Sequence, residues 1–133
     1  MNEAVVAEWV LARQRLDVLT DNAHTYCDFA PTQGLSCKIL WAAGSHNDPV
    51  ARDCQFTLVD AHSGHNSALQ NLVNRATNVL HPLYDGAGAY LPGPFVLRLG
   101  HTLRFYVPLA AAGTVITLAL YLQEFVGEDA YAG

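Results

Sequence analysis

The sequence predicts an all-β fold: an antiparallel β-sandwich of jelly-roll type with one short helix, forming a single domain over residues 1–133. Three observations lead there. Apolar residues alternate with polar ones at a period of two through most of the chain. Clusters of turn-forming residues (DNAH, APTQG, GSHNDP, DAHSGHNS, HPLYDGAGAYLPGP and AAAG) cut it into short segments. One segment, SALQNLVNRATNVL, carries helical spacing instead. No repeat, low-complexity tract or linker interrupts the chain.

The first segment, VLARQRLDVLT, reads as a strand with Ala12, Leu16 and Val18 on the core side opposite Arg13, Arg15 and Asp17. A helical stripe of Val5, Trp9, Ala12, Leu16 and Leu19 is the alternative. Next, SCKILWAA and ARDCQFTLVDA are β-prone runs joined by GSHNDP, which predicts a hairpin. Cys37, Ile39 and Trp41 share one phase, and Cys54, Phe56 and Leu58 share another, so Trp41 is expected in the core. In SALQNLVNRATNVL, Ser67 and Gln70 have the spacing of a capping box, and Leu69, Leu72, Val73, Ala76, Val79 and Leu80 recur at helical intervals before Pro82. That is the expected helix.

PGPFVLRLG supplies a short strand with Phe95, Leu97 and Leu99 on one side, closed by Gly100. The run FYVPLAAAGTVITLALYLQ, residues 105–123, has no charged residue and nearly the length of a membrane-crossing helix, which needs roughly 20 apolar residues. Its content opposes that reading. Pro108 and Gly113 lie inside it, and Val107, Thr114, Val115, Ile116 and Thr117 are β-branched. At a period of two it separates into Leu103, Phe105, Val107 and Leu109, and then Ile116, Leu118, Leu120 and Leu122. These are two half-buried strands, expected to form an antiparallel hairpin across Ala110–Gly113.

Composition narrows the function. An apolar fraction of 51% against 14% charged residues is rich for a free monomer of this size, so self-association or a partner is expected. Seven basic residues against 12 acidic ones, a net charge of −5, form no basic stripe, which argues against nucleic acid. Three cysteines (Cys27, Cys37 and Cys54) have no CxxC spacing, and no secretory signal precedes them, so assembly in a reducing cytoplasm is expected. Cys37 and Cys54 fall on apolar strand faces and are read as small hydrophobes.

No chemistry-bearing constellation emerges. The 6 histidines (His24, His46, His62, His65, His81 and His101) include an HxxH pair, His62 and His65, but it lies in a Gly/Ser/Asn loop with no acidic partner. No GxSxG or ordered Ser, His and acid set is present, so no enzyme, metal or cofactor is expected. The glycine-rich DGAGAYLPG lacks a GxGxxG pattern or P-loop lysine and reads as a connection serving a surface contact, with Tyr84 and Tyr90 beside it.

The order GPFVLRLGHTLRFYV, a turn of small residues, then TVITLALYLQEF resembles the C-terminal part of small β-sandwich virion proteins of tailed bacteriophages. The resemblance covers Pro92 to Phe125, with a fainter echo in EWVLARQRLDVLT, and the helical pattern at Ser67–Leu80 departs from it. It implies a head decoration (cement) protein or another head or tail accessory part. The implied partner is the major capsid protein or another virion protein, and the implied place is the virion, assembled in the host cytoplasm. A homo-oligomer is also implied, plausibly a trimer, since decoration proteins often sit on threefold positions. Trp9, Tyr84 and Tyr90 are the candidate partner-binding residues. The competing expectation is a carbohydrate- or ligand-binding sandwich module, of which a tail-associated receptor module is one form, stacking its ligand on Trp9, Trp41, Tyr84 or Tyr90.

Overall fold

The computed structural model describes residues 13–83 and 94–126. Among these residues nine strands follow one another: β1 (Arg13–Asp21), β2 (Tyr26–Phe29), β3 (Leu35–His46), β4 (Arg52–Asp60), β5 (Asn66–Arg75), β6 (His81–Pro82), β7 (Phe95–Leu97), β8 (His101–Tyr106) and β9 (Ile116–Val126). All pairings are antiparallel, and they form two sheets. One has the order β1-β9-β3-β6, with β7 also on β3; the other has the order β2-β8-β4-β5. Pairs Gly44↔His81 and Cys37↔Leu97 place β6 and β7 end to end along β3, so together they act as one interrupted fourth strand.

The pairings are nested. β4 pairs with β5, β3 with β6 and β7, β2 with β8, and β1 with β9. The chain is therefore one long antiparallel hairpin, doubled over so that β3 also meets β9 and β4 meets β8. Both inner faces feed one core. Ile39, Leu97, Leu118, Leu120 and Leu122 come from the first sheet, and Cys27, Phe56, Leu72, Leu103 and Phe105 from the second. Alternating burial follows from the pleat, which sends successive side chains to opposite faces. On β3 the backbone at Gly44 comes directly against the other sheet. A Cβ on Gly44 would lie 2.3 Å from the Phe105 ring.

Strand phases predicted for residues 103–107 and 116–122 are those observed: Leu103, Phe105, Val107, Ile116, Leu118, Leu120 and Leu122 are all fully buried. The pairings differ. The uncharged run of residues 105–123 is no hairpin, because β8 lies in the four-stranded sheet and β9 in the other. The run joining them turns at Val107–Ala110 and Ala111–Thr114 and crosses between the layers. For the same reason β3 and β4 do not form the expected hairpin across residues 44–49. The consecutive hairpin is β4 with β5, closed where Asp60 N–H donates to His65 O.

No helix occurs among the described residues, and Ser67–Leu80 is β5 followed by a loop. A β-bulge between Phe56 and Thr57 leaves Leu69 as an extra residue, so Leu69 and Leu72 both turn inward three positions apart. That i, i+3 spacing imitates a helix. The rest of the stripe is not buried: Val73, Val79 and Leu80 are exposed, while Gln70, the expected cap, is buried. Asn74 and Asn78 adopt positive φ, 54° and 58°; Asn74 sits at a register shift between Arg52 and Cys54, with Arg75 still paired to Arg52, and Asn78 lies in the loop after β5. A bulge at Leu40 on β3 reverses the phase of Trp41. Trp41 therefore points outward instead of sharing the core with Ile39.

On β1 the strand reading holds from Arg13, but its faces are inverted: Leu16 and Val18 are exposed. The inward phase carries Arg15, whose Nε lies 2.5 Å from Oε1 of the buried Glu124 of β9, with Asp17 on its other side at 3.1 Å. Leu109 and Leu99 are also exposed, beyond the ends of their strands. No described helix is long and apolar enough to cross a membrane.

Candidate functional site

Two outer sheet faces and one knot of loops carry the functional possibilities, and the two faces differ in chemistry. On the five-stranded sheet, register aligns Leu16 of β1 with Tyr121 of β9 and Tyr121 with Trp41 of β3. Their exposures are 61%, 39% and 37%, and the adjacent Val18 is 62% exposed. Ala119 and Ala43 follow in the same phase but are buried, and the Tyr121 hydroxyl is tied to Gln14 Oε1 at 2.6 Å. The result is a fixed apolar shelf with a polar margin.

The outer face of the four-stranded sheet is polar. Asp28 and Arg104 face each other across β2 and β8 in a two-pronged pair, Nε to Oδ1 at 2.8 Å and Nη2 to Oδ2 at 2.9 Å. Those bonds, formed to the Asp28 carboxylate, raise the Arg104 pKa further, and the guanidinium lies 3.9 Å over the Tyr26 ring. Farther along this face a concavity of about 270 Å³ opens over β4, β5 and the end of β8, with Asp53, Asn71, Tyr106 and Pro108 in its lining.

At one end of the molecule, three connections are tied together by two buried residues. Asp48, fully buried, accepts at Oδ2 from Ala111 N–H at 2.8 Å and at Oδ1 from Val50 N–H at 3.0 Å, with Arg52 Nε 3.1 Å from Oδ2. Thr77 donates its hydroxyl proton to the Asp48 carbonyl. His46 Nδ1 accepts from Asp48 N–H at 3.2 Å, and its Nε2 donates to Arg75 O at 3.0 Å. Asn47 adds an acceptor to Val115 N–H at 2.7 Å. The knot is a clamp on loops, built of groups that satisfy one another.

Bonds from the Ala111 and Val50 amides, with the Arg52 charge, hold the Asp48 carboxyl down at about 2. A depressed folded pKa gives a contribution that is complete above the ordinary value of 3.8 and lost as pH falls through about 2. Asp21, held low first by His24 and then by the Ala23 amide, and Asp60, held low by the His62 amide, act with the same sign. An acid titration followed by circular dichroism should therefore lose structure between pH about 4 and about 2. Asp48→Asn should weaken the protein at neutral pH and flatten that limb. A variant as stable as its parent, with the limb unchanged, would remove Asp48 from the account.

The residues singled out from sequence distribute as follows. Trp9, Tyr84 and Tyr90 lie outside the described residues. Trp41, expected in the core, joins the outer shelf. The histidines serve local contacts: His24 Nδ1 with Asp21 at 2.9 Å, His62 Nε2 with Leu99 O at 3.2 Å and His81 Nε2 with Ala76 O at 2.9 Å. His65 is exposed in the β4–β5 turn. Among the described residues no group of three or more His, Cys, Asp or Glu side chains converges on a metal-sized site. All three cysteines are free and buried, and burial pushes their thiols up, to about 11 for Cys27 and Cys37 and about 12 for Cys54. They are packing groups without thiolate character.

The Asp48 knot and the Tyr106 concavity were not legible from sequence. Asp48 sits in a turn-rich loop where an Asp is ordinary, and Tyr106 is simply the polar-phase residue of its strand. No protein-family model matches the chain, and no curated protein matches it. Among solved structures, it is similar to a chain of the virus-like particle of the extra small virus of the giant freshwater prawn Macrobrachium rosenbergii, determined by cryo-electron microscopy. The identity is 11% and the TM-score 0.41, over 85% of this chain and 79% of that chain.

Proposed function

We propose that the chain is a structural, non-catalytic component of a virion, and within that class a head decoration (cement) protein of a tailed bacteriophage. The fold is read as a jelly-roll sandwich, supported by the nested pairing of β4 with β5, β3 with β6 and β7, β2 with β8, and β1 with β9. A long hairpin rolled into two facing sheets is the architecture shared by many viral shell and lectin domains. That link is an analogy at the level of fold.

The observation that carries the role is the chemical asymmetry of the two outer faces. The Leu16–Tyr121–Trp41 row with Val18 sets four large apolar side chains side by side in water on the five-stranded sheet, whereas the described strands of the other sheet expose Val73 alone among polar groups. Contiguous apolar surface of this kind, bounded by polar groups, is what a protein partner covers. A cement protein needs a rigid body and one such face, because it acts by binding the assembled shell and not its separated parts. The partner is the major capsid protein, and further copies of the chain around a threefold axis complete the contact.

Particles lacking the protein should form but release their genome at lower temperature or under weaker osmotic stress. Purified protein added back should restore resistance and saturate at a fixed number of copies, and Leu16→Ser combined with Trp41→Ser should prevent uptake without unfolding the chain. Light scattering of the free protein should show an oligomer. Knockout particles that are equally robust and take up no added protein would end this reading.

A further inference from the structure

We infer that the concavity around Tyr106 is a binding site for a single neutral sugar ring. Register places Tyr106, Gln55 and Asn71 in one row across β8, β4 and β5, with Gln55 opposite both of the others. Asp53 on β4 and Val73 on β5 stand two residues along from this row, and Pro108, two residues past Tyr106 and just beyond the end of β8, helps close the hollow. Its volume, about 270 Å³, falls just below the roughly 300 Å³ at which small-molecule pockets begin, which suits one ring and excludes burial of a chain of them.

The polar groups are already oriented. Thr57 Oγ1 donates to Gln55 Oε1 at 2.6 Å, and Gln55 Nε2 donates to Asn71 Oδ1 at 2.8 Å. This relay uses the Asn71 oxygen and leaves its NH2 group as a donor with no partner among the described residues. Asp53 Oδ1 accepts from Asn74 N–H at 2.8 Å, which anchors that carboxylate while its second oxygen stays available as an acceptor. The mouth thus offers a donor at Asn71, an acceptor at Asp53 and a hydroxyl at Tyr106, beside the apolar surfaces of the tyrosine ring, Val73 and Pro108.

Each hydroxyl of a sugar both donates and accepts, and the C–H face of its ring is apolar, so a pyranoside matches this set group by group. Asp53 disfavours anions, as does the net charge of −5, so the ligand class is a neutral sugar and not a uronic or sialic acid. The site uses none of the aromatic residues of the apolar shelf. It stands apart from the virion reading, and either can fail without the other.

The test is a titration of the whole isotope-labelled protein with the methyl glycosides of glucose, galactose, mannose and N-acetylglucosamine, followed by amide NMR shifts. At least one should bind with a Kd on the order of millimolar, as one ring with few contacts allows, moving amides around residues 53–55, 71–73 and 106–108. Tyr106→Ala and Asn71→Ala should each weaken binding tenfold or more, and methyl glucuronide should bind only after Asp53→Asn. Should Tyr106→Ala unfold the half-buried strand end, the exposed Asn71 decides alone. The inference is overturned if no glycoside moves these amides at about 50 mM, well above a millimolar Kd. It is equally overturned if glycerol moves them as much, or if the shifts survive Asn71→Ala.

Discussion

Gly44→Ala should destabilise the protein by about 3 kcal/mol, the upper end of the range for overpacking a filled core. The added Cβ would lie 2.3 Å from Cδ1, 2.4 Å from Cε1 and 2.4 Å from Cγ of Phe105, distances at which something must move. The ring has no room to retreat. It is fully buried and stands against Phe56, centroid to centroid 5.0 Å. Chemical denaturation would show the loss, and Phe105→Leu in the same chain should recover part of it, a coupling read from a double-mutant cycle. If Gly44→Ala unfolds at the parent's midpoint, the two sheets do not meet at this point.

Leu118→Ala should cost about 2 to 5 kcal/mol, the sum of lost transfer energy and the cavity left behind. Leu118 is fully buried on β9, the strand flanked by both β1 and β3, so its surroundings cannot collapse around the gap. Thr117, one residue earlier and half-buried on the other face, should cost under about 1 kcal/mol when replaced by alanine. The reverse order in a denaturation series would refute the register. Because the alternation is strict, a shift of one residue would exchange the two results.

The faces of β8 and β9 were readable because alternation is a local property, set by the pleat and by which side chains water excludes. Their partners were not. A connection such as residues 107–115 can turn back within one sheet, where strands are about 4.8 Å apart, or cross to another about 10 Å away, and both need the same small and polar residues. Two of the register shifts explain the remaining differences. At Leu40 and Leu69 an inserted residue resets the phase, which hid the outward turn of Trp41 and gave β5 a helix-like spacing. On β1 the apolar phase points outward because Arg15 pairs with Glu124 inside, a contact between residues far apart in the chain. Of the two surfaces, the phase of Trp41 with Ile39 points to the core and only the competing stacking reading puts it outside, while the Tyr106 row is visible only when three strands are set side by side.

The nested pairing has a consequence for the order in which the molecule can be made. Among the described residues β1 pairs with β9 alone, and β9 also separates β1 from β3, so residue 13 waits for residue 124 before the five-stranded sheet can close. Contact order this high slows folding, because the entropy of closing a long loop is spent before the contacts it permits are formed. On the ribosome, where chains grow at roughly 5–20 residues per second, β4 and β5 can join early, while β1 stays without its partner until almost all of these strands have emerged. During that interval a second nascent chain carrying its own β9 is a competing partner, so this topology leaves open an exchange of β9 between copies at the moment of synthesis.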